Sequence, residues 1–124
     1  MAIPRVLFVL PGLLAGLLVP ALTSTPKTAP VSSVGMISTD FTRDSVRIHE
    51  GGKITLFNSS DVIHVIGPGR YGKVAGIERH VPLTGFHLMP TNSTLTIGPW
   101  KTPGTYYLTC SVHPHMTLKV IVIR

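Results

Sequence analysis

Thr105-Tyr106-Tyr107-Leu108-Thr109-Cys110-Ser111-Val112-His113-Pro114-His115-Met116 decides how the rest of this 124-residue chain is read. Its first five residues are β-branched, aromatic or apolar and favour a strand. That strand ends on the only cysteine; an imidazole follows after two residues and a thioether after two more. So short a loop brings three metal donors to one point. Soft sulfur together with imidazole selects copper, and two His and one Cys with a weak axial Met describe an electron-transfer copper site. Pro114 fixes one backbone dihedral, so the loop loses less freedom when it closes. Zinc is the competing reading, but it would leave the thioether without a role.

A second imidazole must come from elsewhere. His64, inside Val62-Ile63-His64-Val65-Ile66, is the candidate. Alone it reads as a hydrogen-bonded core or edge residue, because a buried ring needs a partner. Beside the Cys110 run it reads as a ligand. His115 competes with His113 through the longer spacing Cys-x4-His, yet Met116 would then be the immediate neighbour of a ligand and poorly placed to be axial. His113 is favoured on that ground.

Working outward, the chain after residue 30 reads as short strands over 31–38, 45–49, 53–58, 62–66, 93–97, 105–109 and 117–123. Ile54/Leu56, Leu95/Ile97 and Leu118/Val120/Val122 each fall on one face at period two, and no sustained helical stripe appears. The expected fold is all-β, a Greek-key two-sheet sandwich. Between Gly67 and Asn92, Pro68, Gly69, Gly72, Gly76, Pro82, Gly85 and Pro90 interrupt every candidate strand, predicting a long irregular excursion that carries His80 and His87.

The first segment stands apart. Arg5 precedes a run of apolar residues from Val6 to Val19, and Val19-Pro20-Ala21 follows with small residues suited to a signal peptidase. Residues 1–21 therefore read as a signal peptide or an uncleaved membrane-anchor helix, the run approaching the roughly 17–25 residues that span a bilayer. Residues 22–33, rich in Thr, Ser, Pro and Ala, read as a linker, and 34–124 as the metal-binding domain. The expected location is exported, periplasmic or extracellular, with membrane association possible through this segment. A lone thiol in an oxidising compartment invites oxidation or intermolecular pairing unless a metal holds it.

Hydrophobic residues make up 44% of the chain and charged residues 13%, consistent with one folded domain. Lys+Arg number 11 against 5 Asp+Glu, a net +6; loss of Arg5 with a cleaved signal leaves 10 against 5, a net +5. That balance suits an acidic protein partner or an anionic surface, or simply solubilises the chain. Nucleic acid is disfavoured, because the basic residues are scattered singly with no aromatic interleaving.

With these residues in place, the chain resembles the cupredoxins, the small blue copper proteins. The resemblance rests on Lys53-Ile54-Thr55-Leu56-Phe57-Asn58, on His64, and on Pro103-Gly104-Thr105 through to Met116, and it covers roughly 31–124. The spacing Cys-x2-His-Pro-x-Met is most similar to the amicyanin branch. The resemblance implies one type 1 copper ion bound by His64, Cys110 and His113 with Met116 as axial ligand; a copper enzyme would need further His clusters and usually a second domain, which this sequence does not offer, so no enzymatic activity is expected. The resemblance also implies one-electron transfer between redox partner proteins by a monomer, with the edge of His113 as the electron's exit. Gly67, Pro68, Met89, Pro90 and Pro114 are the expected lining of that exit. One position departs: Val65 stands where the family commonly has Asn, leaving the Val65 amide to serve the Cys110 sulfur. The alternative function is a copper chaperone or store, which the extra His80, His87 and His115 would suit.

Other residues carry plainer readings. His49, His80 and His87 are expected on the surface or in loops, Met36 and Met89 in packing, and Trp100 and Tyr106 inside the sandwich. Asn58-Ser59-Ser60 and Asn92-Ser93-Thr94 match the glycosylation acceptor pattern.

Overall fold

Residues 53–58 alternate Lys-Ile-Thr-Leu-Phe-Asn, the period a half-buried strand requires. The computed structural model describes Val31–Arg124 together with the isolated residues Ala2, Gly12, Gly16 and Pro20. In it that alternation buries Ile54, Leu56 and Asn58. Strands of this kind recur along the chain: β1 (Val31–Met36), β2 (Ser45–His49), β3 (Lys53–Asn58), β4 (His64–Arg70), β5 (Lys73–Val74), β6 (His87–Met89), β7 (Thr94–Ile97), β8 (Gly104–Cys110) and β9 (His113–Ile123). Among the described residues there is no helix.

Two sheets result. The first has the order β1-β3-β7, the second β2-β9-β8-β4-β5 with β6 also paired to β4. β1–β3 and β2–β9 are parallel and the remaining pairs antiparallel. The chain therefore alternates between sheets over its first three strands. Val34, Ile54, Leu56 and Ile97 of one sheet and Val46, Ile48, Ile66, Leu108, Leu118 and Val120 of the other form a buried apolar core. Burial of such side chains contributes roughly 1.5–3 kcal/mol each before the entropy of ordering them is counted.

This is the two-sheet β-sandwich expected from the periodicity. The N-terminal apolar helix and the boundary at residue 21 lie outside the described residues. The expected linker of 22–33 overlaps β1, whose Val31, Ser32 and Ser33 pair with Lys53, Ile54 and Thr55.

The excursion predicted over 67–92 is more ordered than its glycines and prolines imply. β4 runs on through Gly67-Pro68-Gly69 to Arg70, and β5 and β6 lie within the excursion. Close approach explains the glycine. A Cβ at Gly67 would lie 2.5 Å from the Gly85 carbonyl oxygen and 2.5 Å from Val74 Cγ1, so the chain folds back directly over the strand. The Pro68 carbonyl accepts from the Ala75 amide at 2.7 Å, which keeps this stretch inside a hydrogen-bonded ladder. Trp100 is fully buried, its ring 5.4 Å from that of Tyr106, and its Nε1–H donates to the Ile97 carbonyl.

Candidate metal centre

Cys110 is the last residue of β8. Its neighbour Thr109 faces Thr117 on β9, but Cys110 itself faces His113, and the pairing register shifts between the two. Pro114, His115 and Met116 are thereby the extra residues on the β9 side, a bulge that gathers His113 and Met116 against the strand end. On the other side of Cys110, Ile66 of β4 pairs with it, and His64 opens the same strand two residues earlier on the same face. Strand pairing alone thus delivers His64 beside the loop.

The donors converge. One ligand atom each from His64, Cys110 and His113 lie within 4.8 Å of one another, the one such group among the described residues. Cys110 Sγ is 3.8 Å from His64 Nδ1 and 3.4 Å from His113 Nδ1, and the two rings are 5.0 Å apart, tilted by 58°. An ion bonded to a thiolate at about 2.3 Å and to an imidazole nitrogen at about 2.0 Å holds those atoms roughly 3.5–3.8 Å apart. The His64 separation of 3.8 Å falls at the top of that range and the His113 separation of 3.4 Å just below it. His64, Cys110 and Met116 are fully buried and His113 half-buried. The set His, His, Cys with a buried thioether in the same loop is positioned to hold one copper ion, soft sulfur and imidazole being copper's preferred donors.

The His64 ring is fixed from behind. Its Nε2 lies 3.2 Å from Ser60 Oγ, which donates in turn to Asn58 Oδ1 at 2.7 Å. Because the serine proton is committed to Asn58, Ser60 accepts from His64 Nε2–H, and Nδ1 is left with its lone pair toward the sulfur. The Asn58 amide donates to the Val62 carbonyl at 2.8 Å and the Met89 carbonyl at 3.0 Å, and its oxygen also accepts the Ser60 amide at 3.0 Å. This fully satisfied amide ties β3, the turn before β4 and β6 to one ligand. Burial lowers the His64 pKa below its ordinary 6.5, the nearby His113 ring adds to the effect, and the Ile37 carbonyl opposes it.

The departure at Val65 is compensated by backbone. The Val65 amide donates to Cys110 Sγ at 3.4 Å, as expected, and the Val65 carbonyl accepts from the Ser111 amide at 2.9 Å. The ligand loop is therefore tied to β4 on both sides of the cysteine without an asparagine side chain.

The depression at His113 has a different lining from the one expected. His113 opens into a depression of about 300 Å³ lined by Thr39, Asp40, Val112, Pro114 and His115. Of the five residues expected there, Pro114 alone lines this depression; Gly67, Pro68 and Met89 are buried, and Pro90 is exposed but outside the lining. The lining comes instead from the turn after β1, where Asp40 accepts from its neighbour's amide at 2.8 Å. His115 sits on the rim, exposed. His49 faces the Arg124 carbonyl, His80 faces Thr102 and His87 faces the Thr84 carbonyl; none joins the donors.

Asn58, Ser60 and Thr109 have no functional role in the sequence reading. For Asn58 a signal existed, since the period that buries Ile54 and Leu56 also buries Asn58, and a buried amide must be satisfied. The same burial closes that glycosylation acceptor in the folded chain, whereas Asn92 is exposed.

Strand order and donor set together define a cupredoxin fold. Among solved structures, the purple cupredoxin from Nitrosopumilus maritimus is similar with a TM-score of 0.60 at 19% identity, covering 73% of this chain and 98% of that one. The amicyanin from Paracoccus versutus gives 0.57 at 21% identity, over 80% and 85% of the two chains. A reduced amicyanin variant gives 0.59 at 18% identity, over 74% and 81%. No protein-family model matches the chain, and none of the curated proteins does.

Proposed function

We propose that the chain is an exported one-electron carrier whose His64, Cys110, His113 and Met116 would hold a single type 1 copper ion. The observation that carries this is the convergence of two Nδ1 atoms and one thiol sulfur in a buried pocket from which one imidazole reaches the surface. Copper bound there supplies a one-electron couple, tuned by the thioether and the surrounding apolar shell. The residues do the rest. Ser60 and Asn58 hold the His64 ring, the Val65 amide and carbonyl hold the cysteine, and the sandwich holds both, so little need rearrange when charge changes. A carrier rather than an enzyme fits this packing. Three of the four donors are fully buried, and only His113 reaches the surface, where it offers an edge for electrons.

The partners proposed are redox proteins meeting the depression at His113, and the net charge of +6 favours acidic ones at low salt. Export rests on the apolar segment 1–21 and on the lone cysteine, which a metal would protect. The chain is proposed to act as a monomer, anchored or released according to whether that segment is cleaved.

Electron self-exchange between copies tests the route. Val112 is 53% exposed in the lining, and Val112→Lys places like charges face to face when two depressions meet. Exchange measured by NMR line broadening should slow several-fold at low salt and recover as salt screens the charge. An unchanged rate at all salt concentrations would place the exit elsewhere.

A further inference from the structure

The hairpin joining β4 to β5 has no part in the site as described, yet it lies against the base of the ligand loop. Gly69 pairs with Val74 and Arg70 with Lys73, leaving Tyr71 and Gly72 as a two-residue turn with φ of 52° and 76°. Two positive φ values in a two-residue hairpin are those of a type I′ turn. An aromatic residue there is held against its preference, a state that persists where neighbours over-determine it. Two hydroxyls supply that constraint. The Tyr71 amide donates to Thr117 Oγ1 at 3.0 Å and the Gly72 amide to Thr109 Oγ1 at 2.8 Å.

Thr109 is the node. It is fully buried, directly precedes Cys110, and its hydroxyl donates to the Met116 carbonyl at 2.9 Å. With that proton committed, it accepts from Gly72 and, at 3.3 Å, from the Thr117 hydroxyl. One oxygen therefore links the residue before the cysteine, the backbone of the axial methionine and the tip of the hairpin. Two further contacts seat the hairpin. The Arg70 guanidinium lies 3.5 Å over the Tyr107 ring, and a Cβ on Gly72 would come within 2.9 Å of Pro114 Cα.

We propose that the β4–β5 hairpin is an external strut for the metal-binding loop and that Thr109 is its positioning residue. Through Thr109 it fixes the distance between the strand end that carries Cys110 and the bulge that carries Met116. It does at the methionine side what the Val65 backbone does at the cysteine side. The strut stands on this chain's own contacts; its effect on a reduction potential rests on the copper carrier reading above.

Thr109→Val removes the hydroxyl at constant shape, and Thr109→Ser keeps it. In the metal-free protein, amide hydrogen exchange at Gly72 should quicken about tenfold in the valine variant, the weight of one net hydrogen bond, and stay near wild type in the serine variant. In the copper-loaded protein, the reduction potential should shift in the valine variant and return in the serine variant. Gly72→Ala, which forces the turn away from Pro114 without touching the core, should shift the potential as well and serves should the valine variant not fold. Wild-type exchange and potential in Thr109→Val, or in Gly72→Ala where that stands in, would overturn the strut. Should no copper protein form, the exchange measurement still decides the strut while the carrier reading fails by itself.

Discussion

Ser60→Ala isolates the brace behind His64. The substitution removes the acceptor 3.2 Å from His64 Nε2 and leaves the ring, which has no solvent exposure, with an unpaired N–H. A buried donor without a partner costs about 1–3 kcal/mol. Asn58 keeps the Ser60 amide at 3.0 Å, and the Ile37 carbonyl near the ring takes up part of the loss, so the expected cost is about 1–2 kcal/mol. For a domain of up to about 100 residues, each kcal/mol lowers Tm by roughly 4–8 °C. The second consequence is chemical. A ring free to rotate presents Nδ1 less reliably, and loss of such a partner typically weakens metal affinity about 10–100-fold. Urea denaturation of the metal-free protein measures the first effect and competition with a copper chelator the second. Unchanged stability together with affinity within about twofold of wild type would refute the idea that Ser60 orients the ligand.

Asn58→Leu should cost more, about 2–4 kcal/mol, because it strands the Val62 and Met89 carbonyls and both Ser60 donors; equilibrium denaturation checks it. His115→Ala should leave the copper spectrum intact, since His115 sits on the rim and outside the converging donors; bleaching would transfer the ligand role from His113 to it. The metal-free protein should lose stability on acidification. The folded His64 pKa lies below 6.5, so between that lowered value and 6.5 the unfolded chain binds more protons than the native one and stability drops as pH is lowered. Denaturation across that window should give a positive slope that flattens in His64→Phe; equal slopes would contradict it.

The sandwich was legible because its strands carry a period of two, and the candidate donors because Cys110, His113 and Met116 are close in sequence. His64 was legible from chemistry, a polar ring in an apolar run. The strand through Gly67-Pro68-Gly69 was not, because the same residues serve turns more often, and the need for a missing Cβ arises only when Val74 and Gly85 fold back onto Gly67. Nor was the lining at His113, since Thr39 and Asp40 lie more than seventy residues from it in the chain and meet it only through the packing of the two sheets. The Thr109 node escaped notice for a similar reason. A threonine in a strand is unremarkable until a distant turn donates to it.

The most direct measurement is a titration of the protein with copper followed by visible absorption and EPR, run beside Cys110→Ser. A type 1 site held by His64, Cys110, His113 and Met116 should saturate at one equivalent with intense thiolate-to-copper absorption, narrow copper hyperfine splitting and a reversible one-electron couple, all lost in the serine variant. A colourless adduct, or an ordinary tetragonal Cu(II) signal that Cys110→Ser leaves unchanged, would contradict the account.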